Sequence, residues 1–471
     1  MSNINSDRPD LKNRIRNSSY IFVPFICNHN VSHLSIEEYW KVKNQNNKYF
    51  LKYIVDKMSP DSNAVCCRPY LMDDNLRRSL GIVESSQNCF LETTKYTEKN
   101  NPFAFQINEI SLFLFETNIG FIIYKIEHDT KDSAYRIASK NYHLKKVHST
   151  SLYTQKADGV KSTLVVGSAS ITSLSELSSY ILEKTVSADV DIFFNYCEKP
   201  ERRSNILTHY NLNLDHNLNE KDDKDIDNVL FYLKRNYHHQ WMRDKSDVIS
   251  SDEYFKASPY IRWGITSEAT ICLTITDPST FFVSNSFYDN FHTHYLYIYI
   301  LALHQKYALY HFLTKFNAES DIVQLETCLF ELADFRAKYV FQVVSESETY
   351  QTVYSKARAS FSLDHLFIDI DEQVRRIVDI KRTIKDKKDT KQENRITLVI
   401  SLLAFFSLFS ALVDVNSLIN WFDWLLTAEQ IALAQKIATS ILVISAIYLF
   451  IQFAKASYNR KKAKTRKAGG K

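Results

Sequence analysis

Three regimes of hydrophobic patterning follow one another along this chain. Up to Pro278, apolar residues gather in short runs bounded by polar turns, the signature of strands, with amphipathic stretches between them. Tyr20–Cys27 reads as a first buried strand, in which Pro24 favours an edge or a bulge. Ser35-Ile-Glu-Glu38 is a capping box that predicts a helix to about Met58. Ile107–Phe115 and Ile119–Glu127 flank Glu116-Thr117-Asn118 as a hairpin, and Tyr260–Thr266 and Thr270–Thr276 form another, ended by Asp277-Pro278. Leu164–Gly167, Val190–Tyr196 and Asn205–Leu214 add strands. Ser173-Leu-Ser-Glu176 caps a helix to about Glu183, and another is expected from about Asp225 to Tyr237. Strands and helices alternate, so residues 1–280 are expected to form a cytoplasmic mixed α/β domain.

The second regime is helical, because no proline or glycine interrupts Ser279 to Ala468. Helices are expected over about Ser286–Lys315 and Ala318–Val344. Leu363, Phe367, Ile370, Val374, Ile377 and Ile384 then follow three-four spacing, the seam of a coiled coil, so residues 281–395 read as a helical stalk.

The third regime is uncharged. Ile396–Val413 and Ile437–Ala454 each run 18 residues without a charge, about the minimum for crossing the hydrocarbon core, and predict a transmembrane hairpin over 396–454 with an outward loop at 414–436. Arg375–Arg395 carries nine basic residues against four acids and the tail 455–471 carries eight against none, which places both termini on the cytoplasmic side of the plasma membrane. Trp421, Phe422 and Trp424 suit an interfacial belt. On a helical wheel Thr397, Ser401, Ser407, Ser410 and Asp414 fall on one face of the first run and large apolar residues on the other. These five with Asn416 are candidate pore-lining residues, with close helix packing as the alternative reading.

A stalk helix leading into the first of two spans, with a basic tail, resembles the CorA-like superfamily of two-span divalent cation channels. Asp414-Val415-Asn416 stands where that family has Gly-Met-Asn, and no methionine occurs beyond Met242. The resemblance implies a homopentamer or other homo-oligomer, a pore lined by the first span, and magnesium or another divalent cation as ligand. The chain also looks like the CorA-like effectors that accompany type III CRISPR systems, for which the implied activating ligand is a nucleotide second messenger, a conjugate of S-adenosylmethionine and AMP. The expected function is a membrane channel gated by its cytoplasmic domain. A divalent cation transporter and a membrane-anchored ligand-binding scaffold are the alternatives.

Composition narrows the chemistry. The net charge of +4 owes much to the basic tail, which suits anionic membrane lipid, so the body shows no direct nucleic-acid signature. With only seven glycines there is no phosphate-cradling glycine loop, and the seven cysteines lack paired metal spacing. His29, His33 and Glu37 have metal-like spacing only on a helix, and the capping box starts that helix after His33. His292 and His294 read as a structural cap, and His238-His239 carries no more weight. Asp215–Asp227 reads as a solvated acidic loop. The pairs Arg77-Arg78 and Arg202-Arg203 could contact a ligand phosphate, since the guanidinium fork matches its oxygens, although Glu201 offsets part of the second pair's charge and exposed solubilising charge is the favoured reading. No catalytic constellation stands out, and an enzyme is not expected.

Overall fold

The computed structural model describes residues 17–27, 39–43, 49–58, 67–79, 89–92, 103–129, 131–148, 150–155, 161–162, 164–166, 169–186, 190–193, 202–236, 253–280, 287–315, 320–421 and most of 427–451. The chain divides into two units, Met1–Arg375 and Arg376–Lys471.

The first unit is built on β1 (Ser18–Cys27), which lies in the middle of a large sheet. On one side it pairs antiparallel along its length with β6 (Ile119–Glu127). On the other it pairs first with β12 (Asn205–Asn213), through Ser18–Phe22, and then with β11 (Val190–Ile192), through Phe25–Cys27. Pro24 falls in the gap between these two partners. The sequence expectation of an edge or bulge was wrong about position and right about cause: a residue with no N–H is tolerated where one ladder is interrupted.

From β6 the sheet continues to β5 (Phe103–Phe115), which pairs with β3 (Cys67–Met72) at one end and β4 (Cys89–Glu92) at the other. From β12 it continues through a parallel pairing with β15 (Ala269–Thr276), then antiparallel through β14 (Ile261–Ile265) to β13 (Tyr254–Ser258). Both expected hairpins are present. Asn118 closes the first with φ 63°, a left-handed conformation that asparagine accepts readily.

Helices cover both faces. α3 (Ala134–Leu144), α4 (Leu174–Thr185) and α5 (Asp223–Arg235) pack on the face carrying Ile21, Val23, Ile122, Ile271 and Leu273. The opposite face carries Phe22, Phe113, Phe115 and Phe121, and it meets α6 (Leu296–Lys315) ring against ring: Phe22 on Tyr299, Phe113 on Tyr297, Phe115 on His304 and Phe121 on Tyr307. Every residue from Leu296 to Gln305 is buried, as expected of a helix that is apolar all round. α7 (Ile322–Tyr339) and α8 (Glu348–Ser360) follow. α7 opens on a capping box between Asp321 and Gln324.

Tertiary pairing overrides one expected helix. Trp40–Val42 forms β2 against β3, with Trp40 buried and Lys41 and Val42 exposed, and the next described helix is α1 (Lys52–Met58). The capping box itself lies outside the described residues.

The 59-residue α9 (Leu363–Trp421) contributes to both units. Within the first unit Leu363, Phe367, Ile370 and Val374 are buried, so that part of the seam is satisfied inside the chain. In the second unit α9 is exposed at Ile380, Ile384, Ile396, Val399, Ile400, Leu403 and Phe406, each more than half accessible. Helix is described again at 428–437.

The expected transmembrane hairpin is corrected here: among the described residues no helix is long and apolar enough to cross a membrane. The uncharged run Ile396–Val413 of α9 reaches only about 27 Å at ~1.5 Å per residue, short of the ~30 Å hydrocarbon core. α9 also passes through Asp414 and on to Trp421, so the exposed carboxylate interrupts a helix where the hairpin needed a helix end. The multi-pass placement in the plasma membrane falls with the hairpin.

Candidate functional site

A cleft of about 820 Å³ opens along α4. β10 (Ala169–Ile171), β11, the end of the α3 loop at His148 and the segment before β12 complete its walls. Local sequence dictates the start of α4. Ser173 is the N-cap, its hydroxyl accepting from the Glu176 N–H at 3.2 Å. The Glu176 carboxylate accepts from both the N–H and the hydroxyl of Thr172 at 2.7 Å, one residue further back than the reciprocal bond of a capping box. Leu174, Leu177 and Ile181 hold the apolar side of α4 in the core, which turns Ser179, Tyr180 and Glu183 towards the cleft.

Arg202 is only 6% exposed, and its Nη1 donates to the Ile192 carbonyl at 3.4 Å, across the end of β11. His148 reaches Ser175 Oγ at 3.4 Å and leans on Phe193. With Glu176, Glu183 and Asp191 the cleft sets one guanidinium against three carboxylates, among several hydroxyls and one tyrosine ring. That mixture suits a ligand carrying both charges: a phosphate or carboxylate for Arg202, an ammonium or other cation for the acids, and hydroxyls for the serines.

Of the sequence candidates, the structure brings only Arg202 to this cleft. Its neighbour Arg203 turns the other way, to Glu268, which also pairs with Lys145. Arg77 donates to the Ile107 carbonyl at 3.4 Å, and Arg78 stays exposed at the end of α2 (Asp74–Ser79). The acidic segment is not a plain solvated loop. Asp223 and Asp227, at the start of α5, hold the fully buried Arg262, and Asp222 pairs with His216. Thr397, Ser401, Ser407, Ser410 and Asp414 are exposed positions of α9, and Asn416 lies in the same helix. The hydroxyls of Thr397 and Ser401 donate to the carbonyls of Glu393 and Thr397 at 2.8 Å. His29, His33, Glu37 and His238-His239 lie outside the described residues, and no group of three or more metal-binding side chains occurs among those described.

Sequence reasoning missed a buried polar cluster on the α6 face. A π-helical turn at Phe291–Tyr295 carries His292, whose Nδ1 lies 2.6 Å from the Tyr20 hydroxyl. His209 on β12 bonds Thr274 at 3.0 Å, and burial with Lys125 nearby pushes its pKa down to about 3. His292 is likewise held well below 6.5 by burial and by Lys125. On the other face Ser19 bonds both His128 and Thr208, at 2.8 and 3.1 Å, and Asn141 donates to Thr208 at 3.0 Å. Ser19 is wholly buried and His128 Nδ1 has no partner, so this pair lacks the access and the orienting group that a nucleophile requires. Period-two patterning marked these strands as buried but could not show that the His292 turn would bring its ring against His209 of β12.

The first unit is of the mixed α/β class, with helices on both faces of a mainly antiparallel sheet. No protein-family model, curated protein or solved structure matches the chain.

Proposed function

We propose that this chain is a homo-oligomeric sensor whose α/β unit takes a small nucleotide-like ligand in the α4 cleft. The cleft carries the reading. Its volume of about 820 Å³ falls within the range of small-molecule sites, and the set of Arg202, Glu176, Glu183, Asp191 and Tyr180 matches a ligand that joins a phosphate to a cationic group and an aromatic base. The nucleotide second messenger implied by the family resemblance is of that class. Self-association rests on the second unit, where α9 exposes eight large apolar side chains from Ile380 to Phe406; other copies of the same helix would cover them.

The test is calorimetric titration of the full chain with adenine nucleotides, with and without an attached amino-acid ammonium, beside light scattering. A zwitterionic nucleotide should bind more tightly than AMP. Arg202→Gln should weaken binding to it at least about tenfold, and Glu183→Gln should weaken it less. Glu183 is exposed, so that second variant keeps the test open if loss of the buried arginine disturbs folding. Equal affinity of AMP and the zwitterion would overturn the assignment of the acids, and a monomer at every concentration would overturn the assembly.

A further inference from the structure

A second, smaller cavity of about 60 Å³ lies where α6, α7 and α8 meet the first turns of α9, within the first unit. Its wall includes Gln305, Arg336, Gln342, Arg358, Asp364 and Phe367. Gln305 is 1% exposed, and its Nε2 donates to the Tyr339 carbonyl and the Tyr354 hydroxyl, both at 2.8 Å. Its Oε1, the remaining acceptor, receives no hydrogen bond. A buried acceptor left in this way bears the desolvation penalty of an unmade hydrogen bond, so a donor is wanted there.

The two arginines supply the complementary charge. Arg336 lies over the Phe367 ring at 4.8 Å and has no carboxylate partner among the described residues. Arg358 is 7% exposed; one of its nitrogens donates to the Phe341 carbonyl at 2.6 Å and another to Asp364. The Asp364 side chain is 74% exposed and sits in the first turn of α9, so it can turn out to water at little cost.

We propose that this cavity is a binding site for a hydrogen-phosphate group, with Arg336 and Arg358 on its oxyanions, its P–OH offered to Gln305, and Asp364 as the resident counter-charge that the ligand displaces. The volume limits what can enter to the phosphate itself, about the space of a few waters. Two guanidinium forks suit a tetrahedral dianion better than a halide. The unsatisfied acceptor favours an oxyanion that still carries a proton at neutral pH, which sulfate does not.

The full chain titrated with inorganic phosphate at fixed ionic strength tests this, read as a shift in thermal midpoint and by calorimetry. Phosphate should raise the midpoint more than sulfate does. Arg336→Gln, at an exposed position, should weaken phosphate about tenfold or more, and Asp364→Asn should tighten it. The methyl phosphate dianion carries no P–OH, so phosphate binding more tightly than methyl phosphate would support the donor to Gln305 and assign the site to the free ion, and equal binding of the two would overturn it. No response of the wild type beyond that to chloride, an equal response to sulfate, or an Arg336→Gln variant that binds phosphate unchanged would each overturn the proposal. None of these variants touches the α4 cleft.

Discussion

His304 offers a sharp test of how this sheet is packed. The ring is 1% exposed, stacks on Phe115 at 3.8 Å and 7°, and places Nε2 2.8 Å from the Thr117 hydroxyl. Burial pushes its pKa from 6.5 down to about 3. The unfolded chain therefore takes up a proton as pH falls through 6.5, whereas the folded chain does not until about 3, so stability is lost over that interval as the solution is acidified. Between about pH 7.5 and 5.5 the loss from this one residue is ~1.4 kcal/mol, and it is capped at ~4.8 kcal/mol below both values. His304→Phe keeps an aromatic ring against Phe115 and removes the titration. It should cost ~1 kcal/mol near pH 7.5, for the hydrogen bond to Thr117, whose half-buried hydroxyl can turn to water. Over the same pH drop the variant should lose ~1.4 kcal/mol less than the wild type. Urea denaturation at both pH values, followed through the buried Trp40 and Trp263, measures this difference. All other histidines are common to the two proteins and cancel in the comparison. Equal pH slopes for the two proteins would refute the argument that His304 is folded in its neutral form.

Gly120→Ala should lower the thermal midpoint through a packing cost of about 1–3 kcal/mol or more, because a Cβ there would collide with the ring of Phe25, itself fully buried. Adding Phe25→Leu should restore part of the loss; an alanine variant as stable as the wild type would show that β1 and β6 are not in the register described. Arg262→Met should destabilise the α5 side of the sheet by about 1–3 kcal/mol in urea titrations. That is less than the ~3–5 typical of a broken buried pair, because Asp223 and Asp227 are partly exposed, at 42% and 35%, and can be rehydrated. A change within ~0.5 kcal/mol would place Arg262 among neutral surface substitutions and contradict its burial.

What could be read from the sequence divides by the range of the interaction. Hairpins and caps are local, and Asn118 between two apolar runs, Ser173 before α4 and the break at Asp277-Pro278 all announced themselves within a few residues. β1 was recognised as a strand, but its central position depends on β6, β11 and β12, which lie about 100 to 190 residues away, and no short window contains them. Trp40 shows the same conflict reversed. Its segment was expected to continue a capped helix, and pairing with β3 prevailed because it buries the indole. The C-terminal misreading has a different origin. Length without charge describes the interior of a membrane and the contact surface of a long helix alike, and the seam from Leu363 to Val374 turned out to be covered by the chain's own first unit. The α4 cleft was the least legible feature, because the residues lining it are mostly polar side chains ordinary on any surface. The sequence offered Arg202 only as one of two arginine pairs better read as exposed charge, and only the end of β11 and α4, brought together around it, distinguish it from Arg203, its neighbour in sequence and its opposite in surroundings.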